Sequence, residues 1–160
     1  MDVNGFKGPN SEARNGKQYD IRSFKVARFS KGCAGNDING IGCVYQLPSY
    51  SPIKAGSDEM KKWDPKYDAS GYTDDNYWAG AKKACDDIGM SLPDKSKLKS
   101  LAKKTTAEKE QLGLPTRDNF WSSSERDARY AYFVLFGGSG GSTLGTNKYD
   151  SYPEVLCVGD

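Results

Sequence analysis

Few side chains in this sequence could carry covalent or acid–base chemistry. The 160 residues include four cysteines and no histidine, which removes His-dependent triads, His metal ligands and imidazole as a general base near neutral pH. Carboxylates remain. Glu125 and Asp127 are two apart and would share one side of a strand, the minimal arrangement for the acid and base of a glycan hydrolase. Such pairs are also common on solvated surfaces, and the reading adopted is non-enzymatic, with no cofactor and no metal.

Cys33 and Cys43 flank a turn-forming Gly/Asn segment, Cys85 falls in a helical pattern and Cys157 lies near the C-terminal end of the sequence. Four cysteines allow three pairings. A local clip of Cys33 with Cys43 and a long-range staple of Cys85 with Cys157 suits the elements described below. The rivals are a zinc site, which here lacks any CxxC pair or His, and free buried thiols. Chain-entropy arithmetic gives about 3 kcal/mol for the short loop and about 4 for the long one. Such linkages imply an extracytoplasmic protein.

The composition, 36% hydrophobic with 28% charged and 12% aromatic, suits a folded globule rather than a disordered chain. Twenty-three basic and 21 acidic residues leave a net charge of +2, so no electrostatic footprint for nucleic acid is visible. The longest apolar run, Tyr130 to Phe136, is far short of the ~20 residues that cross a membrane. Met1 is followed at once by Asp2, with Asn4 two residues on, so neither a signal peptide nor an anchor is expected within the sequence. The length favours one domain with an appendage.

The elements that must position any site are read from periodicity. Residues 1–16 are dense in turn formers and read as loop, and 19–29 alternate as a strand. Val44 to Leu47 is a second short strand, and a boundary is placed at Pro48 between an appendage (1–47) and a domain (48–160). Residues 48–73 read as an irregular connection anchored by Met60, Trp63 and Tyr67. From Asp75 to Ile88 the residues Trp78, Ala81, Cys85 and Ile88 recur at helical steps, capped by Asp74 or Asp75 and ended by Gly89.

Asp94 caps a second helix with Leu98, Leu101 and Ala102 buried. Lysines 95, 97, 99, 103 and 104 form its solvated face. Thr106 to Gln111 adds a helical turn. Phe120 to Glu125 and Ala128 to Phe136 have strand propensity, Gly137 to Gly145 is a long loop or β-ribbon, and Val155 to Val158 is a closing strand. Helices followed by strands predict an α+β domain.

Five motifs in this order carry a resemblance: the helix Trp78–Ala81–Cys85; Gly89-Met-Ser-Leu-Pro-Asp94 with Leu98 and Leu101; Phe120-Trp-Ser-Ser-Ser-Glu125; Ala131-Tyr-Phe-Val-Leu-Phe136; and Val155-Leu-Cys-Val158. Together they resemble the bacterial branch of the C-type-lectin-like fold. That branch includes the C-terminal domains of collagen-like adhesins and the variable proteins of diversity-generating retroelements. The resemblance implies two helices packed on a short, twisted antiparallel sheet, with a disulfide from first helix to last strand that maps onto Cys85 and Cys157. Leu156 and Ser91 stand where the family usually has basic residues. The tripeptides of the calcium-dependent sugar site of animal lectins are missing.

A second likeness, over Asp2 to Asn10 and Gly16 to Asp20, is to the turn before the last strands of type IV pilins. It implies display on a pilus or cell envelope through a hydrophobic segment that this sequence lacks. The pieces Asp2-x-Asn4-Gly5 and Asp37-x-Asn39-Gly40 have no later carboxylate to complete a calcium loop.

Period two puts Tyr132, Val134 and Phe136 on one face of their strand and Phe133 and Leu135 on the other, so the strand is either fully buried or offers an apolar binding face. Around it lie Arg126, Asp127, Arg129 and Tyr130, then Ser139, Ser142, Thr143, Leu144, Thr146, Asn147, Tyr149, Asp150 and Tyr152. Tyr, Ser, Gly and Asn with occasional Arg is the composition of antibody-like paratopes. By the resemblance, this set together with Phe133 and Leu135 is the candidate ligand surface, diversified by adenine mutagenesis.

The function expected is a surface-displayed, non-enzymatic adhesin or receptor. Its partner would be a protein or glycan on another cell or phage surface, not nucleic acid, with Arg129, Tyr130, Phe133 and Tyr149 as principal contacts. The alternative is a pilus subunit that uses the same surface for assembly.

Overall fold

Gly40, at φ 83°, closes a tight hairpin after Asn39 that a side chain with a Cβ would strain. This hairpin joins β1 (Asn36–Ile38) to β2 (Gly42–Gln46). The computed structural model describes residues 35–137 and 140–159. The loop and strand expected at 1–16 and 19–29, the pilin-like likeness, Cys33 and Ser139 lie outside these residues.

β2 pairs antiparallel with β1 and with the closing strand β6 (Leu156–Gly159), in the register Val44↔Val158 and Gln46↔Leu156. The expected Val44–Leu47 strand therefore starts earlier and ends at Gln46. Both β1 and β2 precede Pro48, so this sheet is built across the boundary placed there. Val44 and Leu156 are buried in the core.

The stretch 48–73 departs from expectation, because it holds two short helices rather than an irregular connection. Ser57 accepts a hydrogen bond from the Met60 N–H and caps α1 (Asp58–Trp63), and Pro65 opens α2 (Pro65–Ala69) at a position where its missing N–H costs nothing. Met60 and Tyr67 are fully buried, and Trp63 packs half-buried against them. Their spacing of three and four is helical; the surrounding Pro, Ser and Gly obscured it.

The next helix, α3 (Tyr77–Asp87), buries Trp78, Ala81 and Cys85 as expected and is followed by Gly89 at φ 76°. Its cap is Asn76, not Asp74 or Asp75. Asn76 is fully buried, accepts from the Ala79 N–H and donates to Asp64 at 2.9 Å, a donor role no carboxylate could fill. Asp94 caps α4 (Lys95–Ala102), with Leu98, Leu101 and Ala102 buried. A full capping box between Thr105 and Glu108 makes α5 (Thr106–Leu112) a complete short helix.

The second sheet has the order β3 (Asn119–Glu125), β4 (Tyr130–Leu135), β5 (Thr143–Asn147), all antiparallel. β4 starts two residues later than expected, since Asp127 accepts from the N–H groups of Arg129 and Tyr130 and holds a turn there. The glycine-rich stretch resolves in part into strand. The sheet lies between two hydrophobic clusters. Val134, Phe120 and Phe136 meet Leu98, Leu101 and Leu156 on one side, and Phe133, Trp121 and Ala131 meet Trp78, Cys85 and Cys157 on the other.

Cys85 of α3 and Cys157 of β6 are joined by a disulfide, with Cα atoms 5.5 Å apart. No described cysteine is a free thiol. The architecture is thus α+β, with five helices and two three-stranded sheets among the described residues. No helix among these residues is long and apolar enough to cross a membrane.

Candidate functional site

The site residues expected from sequence gather around the β3–β4–β5 sheet, and the register divides them between its two faces. Tyr132 opposes Gly145, Tyr130 opposes Asn147 and Val134 opposes Thr143, which sets these six on a first face. Phe133 opposes Leu144 and Ala131 opposes Thr146, which sets these with Leu135 on the second.

A bulge in β3 shapes the first face. Trp121 pairs with Phe133 and Glu125 with Ala131, leaving Ser122 to Ser124 as the longer arc. Ser123 N–H donates to Pro93 O, and the Ser124 hydroxyl accepts from Lys95 N–H, so the arc docks the start of α4 against the sheet. The Lys95 ammonium consequently sits 4.0 Å over the Tyr132 ring. Arg126 stacks 5.0 Å from the Tyr130 ring centre and crosses Gly145, where a Cβ would stand 3.0 Å from its guanidinium.

On the second face, Phe133 is only 5% exposed and lies beneath the surface rather than forming it. Tyr152 stacks edge-on over it at 5.6 Å, and the Tyr152 hydroxyl donates to Thr146, which in turn hydrogen-bonds Asp150. Leu144 and Tyr152 are half-exposed beside the half-buried Leu135. Ser142 is exposed on the approach to β5. Tyr50 fixes the base of this loop by donating to Pro153 O and accepting from Trp121 Nε1, and burial pushes its phenol up to about 12.

A third group sits at the end of the sheet. Arg129 stacks 4.4 Å over Tyr72 and donates to Ser70 O, while Tyr72 donates to Asn147 and packs against Tyr149. Ser70 and Tyr72 were not among the expected site residues. Asp127 is engaged by its own turn.

Sequence reasoning also missed the charge cluster beneath. Lys148 is fully buried, with its ammonium 2.9 Å from Asp64, 3.1 Å from Glu125 and 4.5 Å from the Trp78 ring. Its carbonyl accepts from the N–H groups of Tyr77 and Trp78 at the start of α3. Lys82 lies 3.7 Å over the same indole and donates to Trp63 O, and desolvation lowers its pKa. Glu125 therefore faces Lys148 and Lys66 rather than Asp127. A lone Lys in a polar stretch gives no local signal for burial of this kind.

A family model matches residues 63–159, from Trp63 to Gly159, more than half of the chain. The chain belongs to the DUF8780 family, a domain of unknown function. The DUF8780 segment contains α3, α4, α5 and the whole β3–β4–β5 sheet, together with both cysteines of the long-range disulfide. Strands β1 and β2 precede it. No curated protein and no solved structure matches the chain.

Proposed function

We propose that this chain is a non-enzymatic, extracytoplasmic ligand-binding module with a C-type-lectin-like fold, whose β5 region and adjoining loop form the contact surface. One observation carries the reading. The exposed large hydrophobic side chains among the described residues are Leu144, Tyr149 and Tyr152, all within β5 and the loop that follows it. Leu144 and Tyr152 share the second face and Tyr149 stands at the end of the same sheet, an exposed apolar set of the kind that marks an interaction surface, and tyrosine supplies contact area at low entropic cost. The helix-to-last-strand disulfide and the order of the five motifs support the fold. An oxidised cysteine pair supports an extracytoplasmic setting.

Of the candidate surface expected to be diversified by adenine mutagenesis, the members that stand exposed are Arg126, Asp127, Arg129, Ser142, Leu144, Tyr149 and Tyr152. Framework residues such as Trp121, Ala131, Val134 and Cys157 are buried. Sequencing the corresponding codons across the source population tests diversification. The expected outcome is change concentrated at the exposed positions with the buried ones fixed, and uniform sequence removes the retroelement component. Binding itself is tested by arrays of glycans and of cell-envelope proteins. Captured ligand should be lost when Leu144, Tyr149 and Tyr152 are replaced together by Ala, and capture indifferent to that change refutes the assigned surface.

A further inference from the structure

Lys95 and Lys99 of α4 and Lys103 at its C-terminal cap recur at every fourth residue, which aligns them on one stripe with ~6 Å between successive positions along the axis. All three are exposed. The stripe does not simply face bulk water. Lys95 reaches Tyr132, and the Cγ atoms of Lys103 and Lys99 lie 2.9 and 3.5 Å from where a Cβ on Gly141 would stand, so their stems run over the approach to β5. Across the first face of the sheet the line continues through Gly145 to the exposed Arg126 on Tyr130.

Among the described residues, none of these four cations forms an ion pair. The carboxylates nearest in sequence have other partners: Asp94 caps α4, Glu125 turns to Lys148 and Lys66, and Asp127 accepts two backbone N–H groups. The result is a row of exposed cations, none held in an ion pair, two of which lie over tyrosine rings.

We propose that this face binds an acidic polysaccharide, a chain bearing uronate or sulfate groups that runs along α4 and across β4 and β5. The inference rests on the binding-module reading and adds a second surface, on the opposite face of the sheet from Leu144 and Tyr152. Repeated anions match the repeated cations, and the phenol hydroxyls of Tyr130 and Tyr132 suit sugar hydroxyls. An oxidised domain outside the cytoplasm meets glycans rather than nucleic acid.

The test presents the full chain with polygalacturonate, heparin, neutral dextran and an oligo-dT strand, at low and at physiological ionic strength. Expected are binding of polygalacturonate and heparin, none of dextran, and weakening with salt. Replacing Lys95, Lys99 and Lys103 together by Gln should weaken binding about tenfold, from three exposed contacts of about half a kcal/mol each. Arg126→Gln should weaken it further, and Lys61→Gln, an exposed cation on α1, should leave it unchanged.

Failure of both anionic glycans to bind, indifference to the triple substitution, or tighter binding of oligo-dT overturns the proposal. If the triple variant still captures an array ligand through Leu144, Tyr149 and Tyr152, the broader binding-module reading survives that failure.

Discussion

Lys148 and Asp64 form an ion pair of 2.9 Å with both side chains withdrawn from solvent. The pair links the end of β5 to the junction of α1 and α2, and Asn76 adds a hydrogen bond to the same carboxylate. Removing Lys148 strands Asp64 as a buried charge, so Lys148→Met should cost about 3–5 kcal/mol, whereas Asp64→Leu, which leaves Lys148 paired with Glu125, should cost less. The double variant should cost much less than their sum. Urea denaturation of the two singles and the double measures the coupling, and strict additivity would contradict it.

Reducing the Cys85–Cys157 disulfide, whose cysteines are 72 residues apart, should lower stability by about 4 kcal/mol. Replacing both cysteines by Ala should reproduce most of that loss without reductant. Denaturant midpoints of oxidised, reduced and substituted protein provide the comparison.

Gly80 should not tolerate a methyl group, although it lies inside a helix where Ala is normally favoured. A Cβ there would stand 2.1 Å from the Ser51 carbonyl oxygen, so the loop before α1 would be pushed off α3. Gly80→Ala should destabilise by about 2 kcal/mol, as overpacking typically does. A gain in stability would refute the close approach.

The backbone N–H of Arg129, with that of Tyr130, holds the Asp127 carboxyl below its ordinary value. A carboxylate with a lowered folded pKa contributes stability that is fully present above its unfolded value, ~3.9, and is lost as pH falls through the folded one. Asp127→Asn should therefore be less stable than the parent near neutral pH, with the gap closing in acid below the usual carboxylate range. Stability curves taken from neutral to strongly acidic pH check the sign.

Leu144→Ser should change stability by about half a kcal/mol or less, because its side chain stands half in solvent, and Tyr152→Ala should cost about 1 kcal/mol for its ring contact with Phe133 and its hydrogen bond to Thr146. Phe133→Ala, directly beneath Tyr152, should cost about 3–5 kcal/mol. Thermal melts of the three variants separate the contact surface from the core supporting it.

The sequence was most readable where local spacing and final burial coincide. Trp78, Ala81 and Cys85 mark α3, and Asp94 with Leu98 and Leu101 marks α4, because one helical face meets the core in each. The start of α3 was misread because the choice among Asp74, Asp75 and Asn76 rests on Asp64, which is remote in sequence. The candidate surface was legible as a composition but not as a geometry. Only the β4–β5 register shows that Leu144 and Tyr132 lie on opposite sides, and only the β3 bulge, which docks the start of α4, brings Lys95 over Tyr132.

The β2–β6 ladder and the disulfide also determine how the domain would carry a mechanical load. A pull applied through the start of β2 and the end of β6 acts where Cys43 faces Gly159, and would unzip the ladder from that rung inward. At Cys157 it meets the covalent link to Cys85 and passes across to α3. The excursion between Cys85 and Cys157, with all of β3, β4 and β5, carries no tension. A ligand held on that sheet would stay on an undistorted surface while the strands at its base are under strain.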